Sequence, residues 1–255
     1  MHFAPARGID VSMFKRLWVF VFLSTLFVGA SHAQLKLPPQ PTNISQPSIR
    51  ELADGRWMVG AILLDKKKRR IEVPARVNMP DGLVEYVLVH SSGKTHESLL
   101  ITDVQPYHVQ IAMLLLGAKG ANFNPNKPPQ TGPITNSEIV KRPPITGTPT
   151  LLSIQWNEKT NRMDKPIDQF IFDKKLGKEM PATNWNFTGS VIWEGAYIAQ
   201  IEGSIIALIT DMGAIFNSQL PNRDADSTWY VRSAQVPRTN VPVTLRIQLD
   251  GKKGK

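Results

Sequence analysis

Lys94, His96, Glu97 and Ser98 crowd into the stretch GKTHESLL, Gly93 to Leu100. Three kinds of chemistry use such residues. Ser98 can serve as a nucleophile, with His96 or His108 as its base and Asp103 or Glu85 as the orienting carboxylate. His96 and His108, joined by Glu97 or Glu85, offer nitrogen and oxygen ligands to zinc or another divalent ion. Alternatively, Thr95, His96, Glu97 and Ser98 can bond backbone amides and hold a polar junction that performs no reaction. A strand through the stretch would separate His96 from Glu97, with Lys94, His96 and Ser98 on one face and Thr95, Glu97 and Leu99 on the other.

Spacing favours the junction. His90, His96 and His108 are separated by five and eleven residues, which matches no standard zinc motif. There is no Gly-x-Ser-x-Gly elbow, and Phe187-Thr188-Gly189-Ser190 does not make one. Phosphate-loop, dinucleotide and helical zinc-protease signatures are absent. As a junction residue, His96 replaced by alanine should cost about 1–3 kcal/mol, the usual penalty for an unsatisfied buried partner. Lys94, His96, Glu97, Ser98 and Glu85 therefore stand as candidate catalytic residues, and His96, His108 and Glu97 as weaker metal ligands. Trp156, Trp185, Trp193 and Trp229 can stack on sugar rings, but tryptophans in or beside strands are mostly core.

The elements that must position these residues are mainly strands. Apolar and β-branched runs recur at 57–64, 71–77, 83–89, 151–156, 169–173, 190–193, 197–202, 204–210, 227–232 and 242–249. Asp65 to Arg70 reads as a charged hairpin tip, Pro80-Asp81-Gly82 as a turn, and Glu202-Gly203 as the link of a hairpin. One helix stands out at about 106–116, with Asp103 as its cap, Pro106 in the first turn, Gly117 at the exit, and Tyr107, Ile111, Leu114 and Leu115 as its apolar stripe. The expected class is α+β, mainly β: an antiparallel sheet or sandwich-like domain with one central helix.

At the amino terminus, Lys15 and Arg16 precede the apolar run 17–29 and the small-x-small tripeptide Ser31-His32-Ala33, the order of a secretory signal cleaved after Ala33. Met13 begins a more conventional signal than Met1 does. Loss of residues 1–33 removes Arg7, Lys15, Arg16 and Asp10 and leaves 27 basic and 20 acidic residues, a net of +7. The organisation reads as a signal peptide 1–33, a proline-rich leader 34–55, and a single domain 56–250. An excursion at 119–149 carries seven prolines, and a basic tail occupies 251–255. The charge suits an anionic envelope surface or another envelope protein, while export leaves little access to nucleic acid, and no transmembrane span follows the signal. Absence of cysteine removes disulfides, thiolate metal sites, cysteine nucleophiles and iron–sulfur ligation.

The order GLVEYVLVHSSGKTHESLLIT, PYHVQIAMLLLGA, LLSIQW, NWNFTGSVIW, EGSIIALIT and VPRTNVPVTLRIQL, over about residues 71–249, resembles the YdjY family of bacterial proteins. Its most specific piece is Gly93 to Ser98 preceded by Glu85, where relatives carry a similar Lys-x-His-Glu-Ser behind a strand. Leu116-Gly117 and Phe187 to Ser190 support it. The resemblance brings no established activity. It implies that Lys94, His96, Glu97 and Ser98 form the family hallmark, beside the helix that holds His108. The ferredoxin-like label of some relatives does not carry over, because this chain has no cysteine. The expected function is an exported, non-enzymatic binding or structural module of the bacterial envelope. The competing class is a hydrolase or metal-dependent enzyme centred on His96, Glu97, Ser98 and His108.

Overall fold

A computed structural model describes residues 45–121, 145–220, 223, 225 and 227–251, all within the compact unit Pro38–Lys255. The segment read as a signal, residues 34–44 of that read as a leader, residues 122–144 of the proline-rich excursion and the last four residues lie outside the described residues.

The first strands form an antiparallel meander: β1 (Ile49–Glu51), β2 (Trp57–Val59), β3 (Ile62–Asp65) and β4 (Arg70–Val77). The apolar run 57–64 is thus two strands, folded back at Gly60, whose φ of 58° belongs to a tight hairpin. The charged tip is where the sequence places it: Asp65 Oδ1 accepts the Lys68 amide at 2.9 Å, and Arg69 takes a φ of 53°. β1 lies inside the segment read as leader, so the sheet extends further toward the amino terminus than Arg56. Its three residues are all exposed, which is why no apolar pattern marks it.

Two strands, β5 (Tyr86–His90) and β6 (Ser98–Thr102), come next, followed by the helix α1 (Pro106–Leu115). Beyond the excursion run β7 (Thr148–Glu158), β8 (Asn161–Pro166), β9 (Ile171–Asp173), β10 (Lys178–Glu179), β11 (Trp185–Phe187), β12 (Ile192–Trp193) and β13 (Ala196–Tyr197). The short helix α2 (Ile198–Glu202), β14 (Ser204–Ala207), β15 (Phe216–Ser218), β16 (Trp229–Val231) and β17 (Pro242–Leu249) complete the chain.

The expected sandwich-like sheet is instead an eight-stranded closed barrel in the order β4-β17-β7-β11-β15-β14-β5-β6, closed by β6 pairing back onto β4. Closure removes the free edges that an open sheet must protect. Pro74 shows how it is done. β17 covers one edge of β4, while β3 and β6 share the other, pairing at Arg70 to Glu72 and at Arg76 and Val77. Pro74 falls in the gap between them, where a missing N–H costs nothing, and its carbonyl accepts Thr102 Oγ1 at 2.6 Å. Two pairings, β5 with β6 and β14 with β15, are parallel and depart from the antiparallel expectation.

α1 matches its expected span, and Gly117 leaves it at a φ of 81°. Its cap and its buried face differ from expectation. Gln105 is the N-cap, while Asp103 pairs with Arg76 at 2.8 Å. Pro106, Val109, Ala112 and Met113 are buried, whereas Leu114 and Leu115 are 51% and 41% exposed. A helix apolar nearly all round gives no stripe that sequence can orient. The expected hairpin at Glu202-Gly203 is α2 running into β14, with Gly203 at a φ of 72° as the left-handed cap. Five residues are too few to show helical periodicity.

Candidate functional site

β5 and β6 run parallel in the register Tyr86↔Ser98 to His90↔Thr102, so the chain must travel back the length of a strand in residues 91–97. A crossover between parallel strands usually needs about a dozen residues or more. Backbone bonds hold this short one: the Ser91 amide donates to Thr102 O at 2.8 Å, Gly93 to His90 O at 2.8 Å, Thr95 to Gly93 O at 2.8 Å, and Glu85 to Glu97 O at 2.9 Å. Asn78 Nδ2 donates to the carbonyls of Thr95 and Ser98 at 2.6 and 2.8 Å. Thr95–Glu97 is a 3-10 turn delivering the chain into β6, so the stretch Gly93 to Ser98 is a junction from strand to strand.

The crossover rests on glycine. A Cβ at Gly93 would stand 2.8 Å from the Glu202 carbonyl, and one at Gly203 would stand 2.8 Å from the Gly93 Cα.

Only one hallmark side chain is drawn into a polar cluster by a hydrogen bond. Lys94 Nζ donates to Tyr86 Oη at 2.7 Å, and Tyr86 Oη donates to Asp211 Oδ2 at 2.9 Å. Asp211 Oδ1 accepts the Gly213 amide at 2.8 Å, and the Asp211 amide donates to Asn217 Oδ1 at 2.8 Å. The phenol is fully buried, and burial, with the Asp211 charge and hydrogen bond behind it, pushes it well above the ordinary tyrosine range. It is a neutral link between an ammonium and a carboxylate. The buried Ser204 hydroxyl interacts with Tyr86 and Glu202 electrostatically but has no well-formed hydrogen bond.

The other candidates are placed elsewhere. The His96 side chain is 79% exposed, its Nε2 3.8 Å from Glu97 Oε2; the 3-10 turn keeps the two adjacent, where a strand would have parted them. Ser98 is fully buried and its Oγ donates to Leu100 O at 2.8 Å, which leaves a nucleophile no approach. Glu85 joins the barrel through its backbone, with its carbonyl accepting the Leu208 amide at 2.8 Å. His108 Nε2 contacts Ser45 O at 2.8 Å, and its ring packs over Gly60. His90 is half-buried beside Ser92, and burial lowers its pKa against the pull of Asp103. Among the described residues, no group of three or more histidines and carboxylates could hold a metal ion.

Tyr86, Asp211 and Glu202 are the members that sequence reasoning missed. The available signal is Asp211-Met212-Gly213, whose aspartate bonds the amide two residues on, the habit of an Asx turn. Burial raises the Glu202 carboxyl above the ordinary glutamate range and the Asp211 charge adds to this, while Lys94 and Ser204 act the other way. A raised folded-state value means that Glu202 favours the fold while protonated, and that this contribution is lost as pH rises through the raised value. Glu202→Gln stays neutral throughout. Its stability relative to wild type should be flat near about pH 4 and climb toward about pH 8. Denaturant melts across that range check it, and a difference that shrinks with pH would reverse the assignment.

A second feature lies across the barrel wall. On β17 and β7 the core-facing Leu245, Ile247, Leu152 and Ile154 alternate with Arg246, Gln248, Leu151 and Ser153, and the register Arg246↔Ser153 and Gln248↔Leu151 aligns these four on the opposite face. They floor a cleft of about 710 Å³, walled by Pro166 to Asp168, Ala182 to Asn186 and Gln219. Arg246 is already engaged: Nη1 donates to Asp164 Oδ2 at 2.7 Å, and Nε lies 3.8 Å from Glu72. Burial opposes charge on Asp164, but bonds from Gln155, Ser153 and Arg246 outweigh it and hold the carboxyl below its usual range. Trp185 lies fully buried beneath, Trp156 and Trp229 are also core, and Trp193 is part-buried.

A family model described as "YdjY domain" matches residues 62–248. No curated protein and no solved structure matches the chain significantly.

Proposed function

The chain belongs to the YdjY domain family, and from that premise we propose that it works as a non-enzymatic binding module exported to the bacterial envelope. The observation that carries the reading is a division of labour between two regions. In the stretch Gly93 to Ser98, Lys94 is bonded to Tyr86, Ser98 to Leu100 O, and the Thr95 and Ser98 carbonyls to Asn78, while His96 stands exposed and outside the cleft. The cleft, by contrast, presents amides and hydroxyls with only Asp168 and the already paired Arg246 as charges, a lining made for recognition rather than proton transfer. Export rests on the order of basic, apolar and small residues up to Ala33. Among the described residues, no helix is long and apolar enough to cross a membrane.

Intact mass and elemental analysis of the protein recovered outside the cytoplasm form the test. The mass should correspond to a chain beginning at Gln34, and metal should be substoichiometric without chelator treatment. A protein that kept residues 17–33 and fractionated with membranes would replace export with anchoring. Stoichiometric metal that disappears in a stable His96→Ala variant would replace the binding module with a metal-dependent enzyme.

A further inference from the structure

We propose that the cleft over β17, β7 and β11 binds an uncharged oligosaccharide of a few sugar units through its edge hydroxyls. This rests on the reading of the cleft as the module's binding site, and it assigns the ligand class.

Charge comes first. Arg246 is the cationic lining residue, and it is flanked by Asp164 and Glu72, with Asp168 also on the wall. A phosphate or carboxylate entering here would meet a guanidinium already bonded to the Asp164 carboxylate, with Glu72 held closer by Arg70 at 2.9 Å and Asp168 a further acid on the wall, so an anion gains little.

Hydrogen-bonding capacity narrows the class further. Asn184 Nδ2 donates to Asp250 at 3.2 Å and Asn186 Nδ2 to Ile145 O at 2.6 Å, which leaves their amide oxygens as acceptors along the wall. Gln248 stands exposed on β17 with both a donor and an acceptor. A wall that mixes unpaired donors and acceptors without net charge is satisfied by groups that are both at once, and the hydroxyl is that group. Leu151, which is 47% exposed, and the exposed Pro166 supply apolar surface for the C–H faces of sugar rings.

A peptide is the nearest competitor. Extended peptides most often bind by adding a strand to a free sheet edge. The floor offers only a gap too short for a strand: β17 is paired on both sides by β4 and β7, and β7 by β17 on one side and by β11 and β8 on the other, with Leu151 and Leu152 between them. Recognition must therefore come from side chains alone. The volume of about 710 Å³ falls inside the range of roughly 300–1,000 Å³ usual for small-ligand sites, with room for more than one ring.

Calorimetric titration of the full-length chain tests this with neutral trisaccharides (chitotriose, maltotriose and cellotriose), an end-blocked trialanine and inorganic phosphate. At least one trisaccharide should bind; Asn184→Ala combined with Gln248→Ala should weaken it at least tenfold, and Leu151→Trp, which fills the cleft, should abolish it. Thermal melts of each variant, and of Ile192→Ser as a substitution outside the cleft lining, separate lost binding from lost folding. If a variant melts early, shifts of the cleft amides in NMR spectra of the wild type replace it. Trialanine or phosphate binding that Leu151→Trp blocks, with no trisaccharide binding, overturns the ligand class but keeps the binding site. Trisaccharide binding undiminished in a folded Leu151→Trp variant overturns the location. No binding by any probe overturns the class and the reading of the cleft together.

Discussion

Replacing Gly203 by alanine should destabilise the barrel by about 2–4 kcal/mol, combining the penalty for a left-handed L-residue with that for overpacking. Gly203 caps α2 at a φ of 72°, where a side chain is strained whatever space surrounds it. Space is also lacking, because the new Cβ would stand 2.8 Å from the Gly93 Cα and 3.1 Å from its amide nitrogen. Both obstacles are backbone, which cannot swing aside as a side chain does. The crossover carrying Gly93 to Ser98 would have to lift off α2, and with it the bond from the His90 amide to Gly203 O at 2.8 Å. Gly93→Ala meets the same contact from the other side without the positive φ, so about 1–3 kcal/mol is expected there. Denaturant melts of the two variants measure both values. A loss at Gly203 below about 0.5 kcal/mol, the range of an ordinary surface change, would show that the two glycines do not bind the crossover to the barrel.

The second large effect is expected at Tyr86. Tyr86→Phe keeps the ring and removes the hydroxyl that takes a hydrogen bond from Lys94 and donates one to Asp211. Two part-buried charged groups lose a partner beside a fully buried ring, and the cost should be about 1–3 kcal/mol. His96→Ala should fall within about 0.5 kcal/mol of wild type, because a side chain 79% exposed leaves nothing buried behind it. That inverts the order suggested by the stretch GKTHESLL alone, where His96 is the natural centre. Equal losses in the two variants, or a larger one at His96, would return the structural weight to the histidine.

The residues that sequence placed correctly share a physical property: their conformation is set by neighbours a few positions away. Pro106 and Gly117 punctuate α1, and Asp65 to Arg70 turns between β3 and β4. Errors began where a local pattern was symmetric or too short. α1 is apolar on several sides, so only the barrel could choose Val109 and Met113 over Leu114 and Leu115. α2 is five residues, below one helical period and a half.

By itself, then, the sequence determined a mainly β, cysteine-free chain of one family, with a helix at Pro106. Tertiary structure alone decided that β6 closes on β4, that Gly93 meets Gly203, and that Lys94 reaches Asp211 through a tyrosine whose bond to that aspartate spans 125 positions. It also decided that Gln248, Leu151 and Asn184 share one cleft. Strand alternation tells which face a side chain takes, but not which strand lies beside it. Pairing across a barrel is chosen by the whole set of buried faces at once, and no window of sequence contains that set.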